Sequence, residues 1–210
     1  AKAALAAAGE GDALTLTLKP IAPAVTAEEL ENQLFKDVLA SCETPYDADV
    51  TGRTANLELA CKAIDGLVLQ PGDVFSYNDA LGERTEEKGY QLGPSYVNGE
   101  VVQEIGGGIC QVSSTLYNCV LTADLEVLER ENHMFYPGYV DPGLDCAVNW
   151  GTLDFRFRNS SGHAIRIEAS LDGYNVTVKL LGTDNKDYYV KMEYDILRTY
   201  DFSTYYRDLD

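Results

Sequence analysis

Three consecutive glycines, Gly106-Gly107-Gly108, run within two residues into a cysteine and a helical segment, and no other junction constrains the chain as much. Glycine lets the backbone take positive φ and lets a ligand approach closely. After Cys110, the apolar residues Val112, Leu116, Cys119, Val120 and Ala123 recur at i, i+4, i+7, i+8 and i+11, which is one face of a helix. Cys110 therefore falls in or just before the first helical turn. Unpaired N–H groups and the positive end of the helix dipole stabilise an anion there, and a thiol so placed is a better nucleophile at neutral pH. The competing reading is a glycine turn before a core helix with a small buried cysteine.

The remaining pattern separates helices from strands. Residues 13–19 alternate as a half-buried strand, stopped by Pro20 and Pro23. Thr26-Ala27-Glu28-Glu29 forms a capping box, followed by Leu30, Leu34, Val38 and Leu39 at helical spacing. Residues 43–53 read as a polar loop. Thr54 then caps a helix with Leu57, Ala60, Cys61 and Ile64 inward and Gly66 near its end. Val74–Tyr77 reads as a short strand, and residues 82–93 as an exposed glycine-punctuated loop. Past Ala123 the pattern turns to short β segments: 126–134, 154–158, 163–171, 175–181 and 188–194. Asp172-Gly173 between two of them marks a hairpin. The reading is α+β: N-terminal helices and a central cysteine-bearing helix packed on a mainly antiparallel sheet, built chiefly from residues after 126.

Charge narrows the partners. With 34 acidic against 16 basic side chains the net charge is −18. That field repels nucleic acid and anionic membrane surfaces. No apolar stretch is long enough to span a bilayer. The Ala-rich start, residues 1–8, is too short and too weakly apolar for a complete signal peptide. The five cysteines, 42, 61, 110, 119 and 146, show no metal-ligand spacing, and no cofactor motif occurs. If the protein is exported, Cys42 and Cys61 are the pair expected to bridge, leaving Cys110 free.

Several ordered segments resemble one family, the VanW domain, named for an accessory gene of vancomycin-resistance clusters. They are Gly52-Arg53-Thr54-Ala55-Asn56, Pro71-Gly72-Asp73-Val74-Phe75-Ser76-Tyr77-Asn78, Leu81-Gly82-Glu83-Arg84-Thr85, Gly89-Tyr90 and the glycine–cysteine run. Glu129-Arg130-Glu131-Asn132-His133, Gly143-Leu144-Asp145 and residues 154–159 complete the set. The resemblance implies a VanW domain over 38–185, with 1–37 the tail of a preceding peptidoglycan-binding-like domain and 186–210 a C-terminal strand or extension. The sequence departs from the family pattern at Asp124, where glycine is common, at Cys119, where alanine is common, and at Cys146 after Asp145.

The resemblance implies a Gram-positive cell envelope, an extracellular setting, and peptidoglycan stem peptides as partners. Some members are described as L,D-transpeptidases that form 3–3 cross-links through a cysteine. A cysteine acyl-transferase needs a thiolate, a base, a group orienting the base, and oxyanion donors. Cys110 is the nucleophile in this reading. His133, in a matching block, is the base, with His163 the alternative. Asp145 orients the imidazole, with Asp154 the alternative. Backbone amides of Cys110, Gln111 or the preceding Gly107 and Gly108, helped by the Gln111 side chain, supply oxyanion donors, Ser113 contacts substrate or completes the helix start, and Arg84 and Arg130 hold a substrate carboxylate. A non-catalytic peptidoglycan-binding module is the alternative function. Oligomeric state is left open.

Overall fold

The computed structural model describes residues 34–97 and 100–199, together with Gly9. The strand at 13–19 and the capping-box helix start lie outside the described residues. The element order is β1 (Asp37–Pro45), α1 (Thr51–Ile64), β2 (Val68–Leu69), β3 (Val74–Ser76), α2 (Tyr77–Leu81), a 3-10 turn (Glu86–Lys88), β4 (Leu92–Val97), β5 (Glu100–Ile105), α3 (Cys110–Thr122), β6 (Glu126–Glu129), β7 (Arg156–Arg158), β8 (Ile165–Leu171) and β9 (Asn175–Gly182). The fold is α+β, as the patterning predicts.

An antiparallel sheet in the order β1-β9-β8-β2 forms the base. Strict alternation on β8 and β9 turns Ile165, Ile167, Val176, Val178 and Leu180 into the core. Helix α3 packs on β1 and β9, and α1 on β8. A second antiparallel sheet, β3-β7-β6, contributes the Phe75–Phe157 and Phe155–Phe157 ring contacts. A two-stranded ribbon, β4-β5, delivers the chain into the glycine run.

Three expectations are corrected. Val38 and Leu39 fit helical spacing, yet they lie in β1, which extends to Pro45 into the expected loop. Eight Cα partners along β9 decide the conformation, and single-sequence periodicity cannot register a pairing 140 residues away in the chain. The surface under α3 is accordingly shared between β9 and a strand that precedes it. The expected loop at 82–93 ends in β4, whose hairpin with β5 was not read. Residues 188–194 pair with no strand among the described residues, and Tyr189 is 85% exposed, so apolar character there has no sheet to join.

The expected Cys42–Cys61 bridge is absent, and all five thiols are free. Cys61 is buried on the inner face of α1, where burial, reinforced by Asp65 and Glu58, pushes its thiol up to about 12. Cys42 on β1 instead interacts with the thiol of Cys119 on α3. The register explains this: Cys42 is the partner of Val178, whose carbonyl accepts from Cys119 Sγ at 3.1 Å. Treatment with a disulfide-donating oxidant is therefore expected to cross-link Cys42 to Cys119. Closing a loop of that length stabilises by roughly 4–5 kcal/mol in the chain-entropy account. Peptide mapping that finds Cys42 joined to Cys61 instead would overturn this. Asp124, the position where glycine is common, has φ 57 and ends α3, which accounts for the glycine preference.

Candidate active site

The glycine run is positioned from α1. Asn56, fully buried, donates from Nδ2 to Gln91 O at 2.8 Å and to Gly107 O at 2.9 Å, while its Oδ1 accepts from Gln91 N at 2.8 Å. Gly107 is pressed against Gly93 of β4: a Cβ on Gly107 would lie 2.1 Å from Gly93 O. Gly106 and Gly108 take φ 82 and 105, the left-handed region where glycine is favoured. The turn then ends at Cys110, the first residue of α3.

Cys110 Sγ sits over Val148, 3.4 Å from its carbonyl and 3.5 Å from its amide nitrogen. Cys110 and His133 line the same cleft, and the thiol is close enough to the imidazole to help raise it. His133 Nδ1 is 2.7 Å from Asp145 Oδ2, which also accepts from the His133 amide at 2.6 Å. With Nδ1 held by the carboxylate, Nε2 remains for the thiol. Antiparallel pairing brings base and acid together. Glu131 bridges Ala147, with Ala147 N donating to Glu131 O at 2.8 Å, and the same register carried two residues further sets His133 across from Asp145.

Arg130 grips the far side of the carboxylate: Nη2 donates to Asp145 Oδ1 at 3.0 Å and Nε to Asp145 O at 2.8 Å, while its guanidinium lies 5.2 Å from the Tyr117 ring centroid. Burial alone would raise the Asp145 carboxyl, but the bonds from His133 and the charges of His133 and Arg130 outweigh it and hold it below the ordinary value. Burial likewise opposes the imidazolium, and the bonds to Asp145 and Cys110 outweigh it, lifting His133 from 6.5 to about 9.

These shifts imply a pH dependence of stability. A raised histidine stabilises the fold fully below its unfolded value near 6.5, and the contribution is lost as pH rises through about 9. The depressed Asp145 stabilises above the unfolded carboxyl value and loses its contribution as pH falls through its lower folded one. The loss between pH 6.5 and 9 is expected to be on the order of 3 kcal/mol, and His133→Gln removes it. Urea midpoints at pH 6 and pH 10 for both proteins measure this; equal pH slopes would refute it.

The site faces a cleft of about 690 Å³, lined among others by Cys110, His133, Gly108, Tyr139, Val148 and Trp150. Of the residues expected here from sequence, Cys110, His133 and Asp145 are brought together. The others divide. Gly107 N donates to Glu104 O and Gln111 N to Gly108 O, so neither amide is available as an oxyanion donor. The Gln111 side chain, 1% exposed, is held by Thr44, Pro45 and Arg53 and does not reach the cleft. Among the described residues no backbone carbonyl accepts from the amides of Gly108 or Cys110. Ser113, fully buried, turns its hydroxyl to Cys110 O and Cys146 O and is structural. Arg130 is instead bound to Asp145. Arg84 does line the cleft.

The alternatives fall away on the same geometry. His163 Nε2 lies 2.5 Å from Asn185 Nδ2 and outside the cleft. Asp154 braces the start of α2 through Ser76 and the amides of Asn78 and Phe155. Cys146 is wholly buried and unbridged, so it does not block Cys110. Residues missed by sequence reasoning include Asn56, Arg53 and Val148; the first two stand in the 52–56 motif, where only polar residues on a helix face hinted at them.

The order and identity of these residues coincide with a known family: residues 52–181 match the one described as VanW like protein. The chain belongs to the VanW-like family. It is 40% identical over 164 residues to Uncharacterized protein YoaR of Bacillus subtilis (strain 168), an alignment covering 78% of this chain and 54% of that protein. Vancomycin B-type resistance protein VanW of Enterococcus faecalis (strain ATCC 700802 / V583) is 29% identical over 123 residues, covering 56% and 44% respectively. The chain spans about half the length of these curated relatives. No solved structure matches it. The site of this VanW-like domain is assembled entirely within the matched span, and no helix among the described residues is long and apolar enough to cross a membrane.

Proposed function

We propose that this VanW-like domain is a cell-wall cysteine acyl-transferase acting outside the cell on peptidoglycan stem peptides, an L,D-transpeptidase that forms 3–3 cross-links. Membership of the VanW-like family points to a vancomycin-resistance or cell-wall role. One observation carries the catalytic reading: the Cys110 thiol, at the start of a buried helix, shares a cleft with an imidazole whose Nδ1 is held by a buried carboxylate.

The chemistry follows from that arrangement. The reactive form in this reading pairs a Cys110 thiolate with a His133 imidazolium. Sγ attacks the carbonyl carbon of the third stem residue, and the developing oxyanion accepts from the Gly108 and Cys110 amides. The carbon–nitrogen bond breaks as His133 gives its proton to the departing amine of D-alanine, leaving a thioester. The side-chain amine of a neighbouring stem attacks the thioester, its proton passes to His133, and the thiolate leaves as the new amide forms. Water in place of that amine would make the product a trimmed stem.

Incubation with purified muropeptides, read by mass spectrometry, tests this. Dimers joined through the third residues, with D-alanine released, are expected from wild type and not from Cys110→Ala. Release without dimers makes the domain a carboxypeptidase. Neither product, with a demonstrably free thiol, leaves the binding module as the reading. In that case Cys110→Ala binds sacculi as well as wild type.

A further inference from the structure

We propose that Arg84 is the carboxylate anchor of the cleft, taking the C-terminal carboxylate of a bound peptide on the Nε–Nη2 edge of its guanidinium. This deepens the reading of the cleft as a peptide site, and it stands on a separate observation. Nη1 of Arg84 donates to Gly82 O at 3.1 Å, but Nε and Nη2 are buried without a hydrogen-bond partner. Withdrawing two donors of a fixed cation from water with nothing to receive them is costly, and native structures rarely retain such a pair unmet. Those two nitrogens form one of the edges that a carboxylate bridges with two parallel bonds.

The surroundings single out this arginine. Arg53 and Arg130 border the same region, yet Arg53 reaches Gln111 and Arg130 is bound to Asp145. Among the described residues no carboxylate pairs with Arg84, although Glu83 and Glu104 line the cleft with it. In a chain of net charge −18, a cation kept clear of nearby acids is positioned for an anion from outside. Gly106 makes room for its stem, since a Cβ there would lie 3.0 Å from Arg84 Cβ. Arg84 thus packs against the glycine turn that runs into Cys110, and both residues line the cleft. The guanidinium carbon lies over the Trp150 ring, 5.8 Å from its centroid.

Trp150 also supplies the readout, because it is the single tryptophan of the chain and is 45% exposed. In a Cys110→Ala background, titration with a stem tetrapeptide bearing a free C-terminal carboxylate is expected to change Trp150 emission. That peptide should bind at least about tenfold more tightly than its C-terminal carboxamide. Arg84→Gln should bring the two peptides to equal affinity, and Arg84→Lys should restore only part of the difference. Equal affinity of acid and amide for the Arg84 protein, a preference that survives Arg84→Gln, or no binding of either peptide overturns the anchor. The comparison of acid with amide on the Arg84 protein holds even if the variants fold poorly. Binding is measured without turnover, so the two readings fail separately. An Arg84-dependent carboxylate preference with no product from wild type removes the transferase and keeps the anchor; products formed with no such preference do the reverse.

Discussion

Replacing His133 with alanine is expected to lower formation of cross-linked product by a factor on the order of 10³–10⁴, with the loss of stability shrinking as pH rises past about 9. Two functions disappear together: the cation that favours the thiolate and the proton donor for the departing amine. The imidazole is held at about 9, so it is a cation throughout the neutral range. Wild-type Cys110 should accordingly react fast with iodoacetamide across pH 6–8, whereas in His133→Ala that reactivity is lost and recovers only under alkaline conditions. The helix dipole alone favours a thiolate to some degree, so the discriminating comparison is with His163→Ala. That residue lies outside the cleft against Asn185, and its replacement should leave alkylation unchanged. Loss of reactivity in His163→Ala with retention in His133→Ala would reverse the assignment. Asp145→Asn should follow His133→Ala in product formation, because with the amide oxygen kept toward Arg130 its Nδ2 faces the ring and donates, so the His133 tautomer is no longer set.

Gly107→Ala is expected to destabilise the protein by roughly 3 kcal/mol or more. The added methyl would sit 2.1 Å from Gly93 O and 2.4 Å from Gly93 C, both backbone atoms that can retreat only if β4 moves. The reciprocal change Gly93→Ala meets Gly107 O at 2.6 Å and should also destabilise. Gly143→Ala is the control: its φ of 84 is unfavourable to alanine, but nothing lies within 4 Å of the new methyl. That variant should cost only about 1–2 kcal/mol of backbone strain. Denaturant unfolding of the three variants compares them. Equal losses in Gly107→Ala and Gly143→Ala would mean that the Gly93–Gly107 approach does not carry stability. The expected contrast recasts Gly107: a glycine read from sequence as a ligand-approach residue is required because another strand of the same chain approaches it.

Local patterning decided a good deal by itself. The apolar face of 112–123 makes a helix wherever it is placed, and Gly106 and Gly108 allow a left-handed turn before it, so the position of Cys110 at a helix start was legible without any tertiary contact. Alternation on 165–171 and 175–182, joined at Asp172-Gly173, marked the central hairpin for the same reason. The family motifs brought out His133 and Asp145 as base and orienter.

Tertiary structure decided the rest, because it depends on which distant segments meet. β1 carries helical spacing in its first residues and becomes a strand because β9 offers an edge to pair with. Gln111 has the right chemistry for an oxyanion donor, but Thr44 and Pro45, at the end of that unread strand, take its amide hydrogens. Arg84 and Arg130 are indistinguishable as isolated cations in a sequence. Pairing between Glu131 and Ala147 carries Arg130 onto Asp145, while Arg84, which lines the cleft, keeps a buried edge without a partner. Whether an arginine holds a buried carboxylate or keeps an unpaired edge is a matter of which hydrogen-bond acceptors surround it, and only the folded chain brings those acceptors within reach.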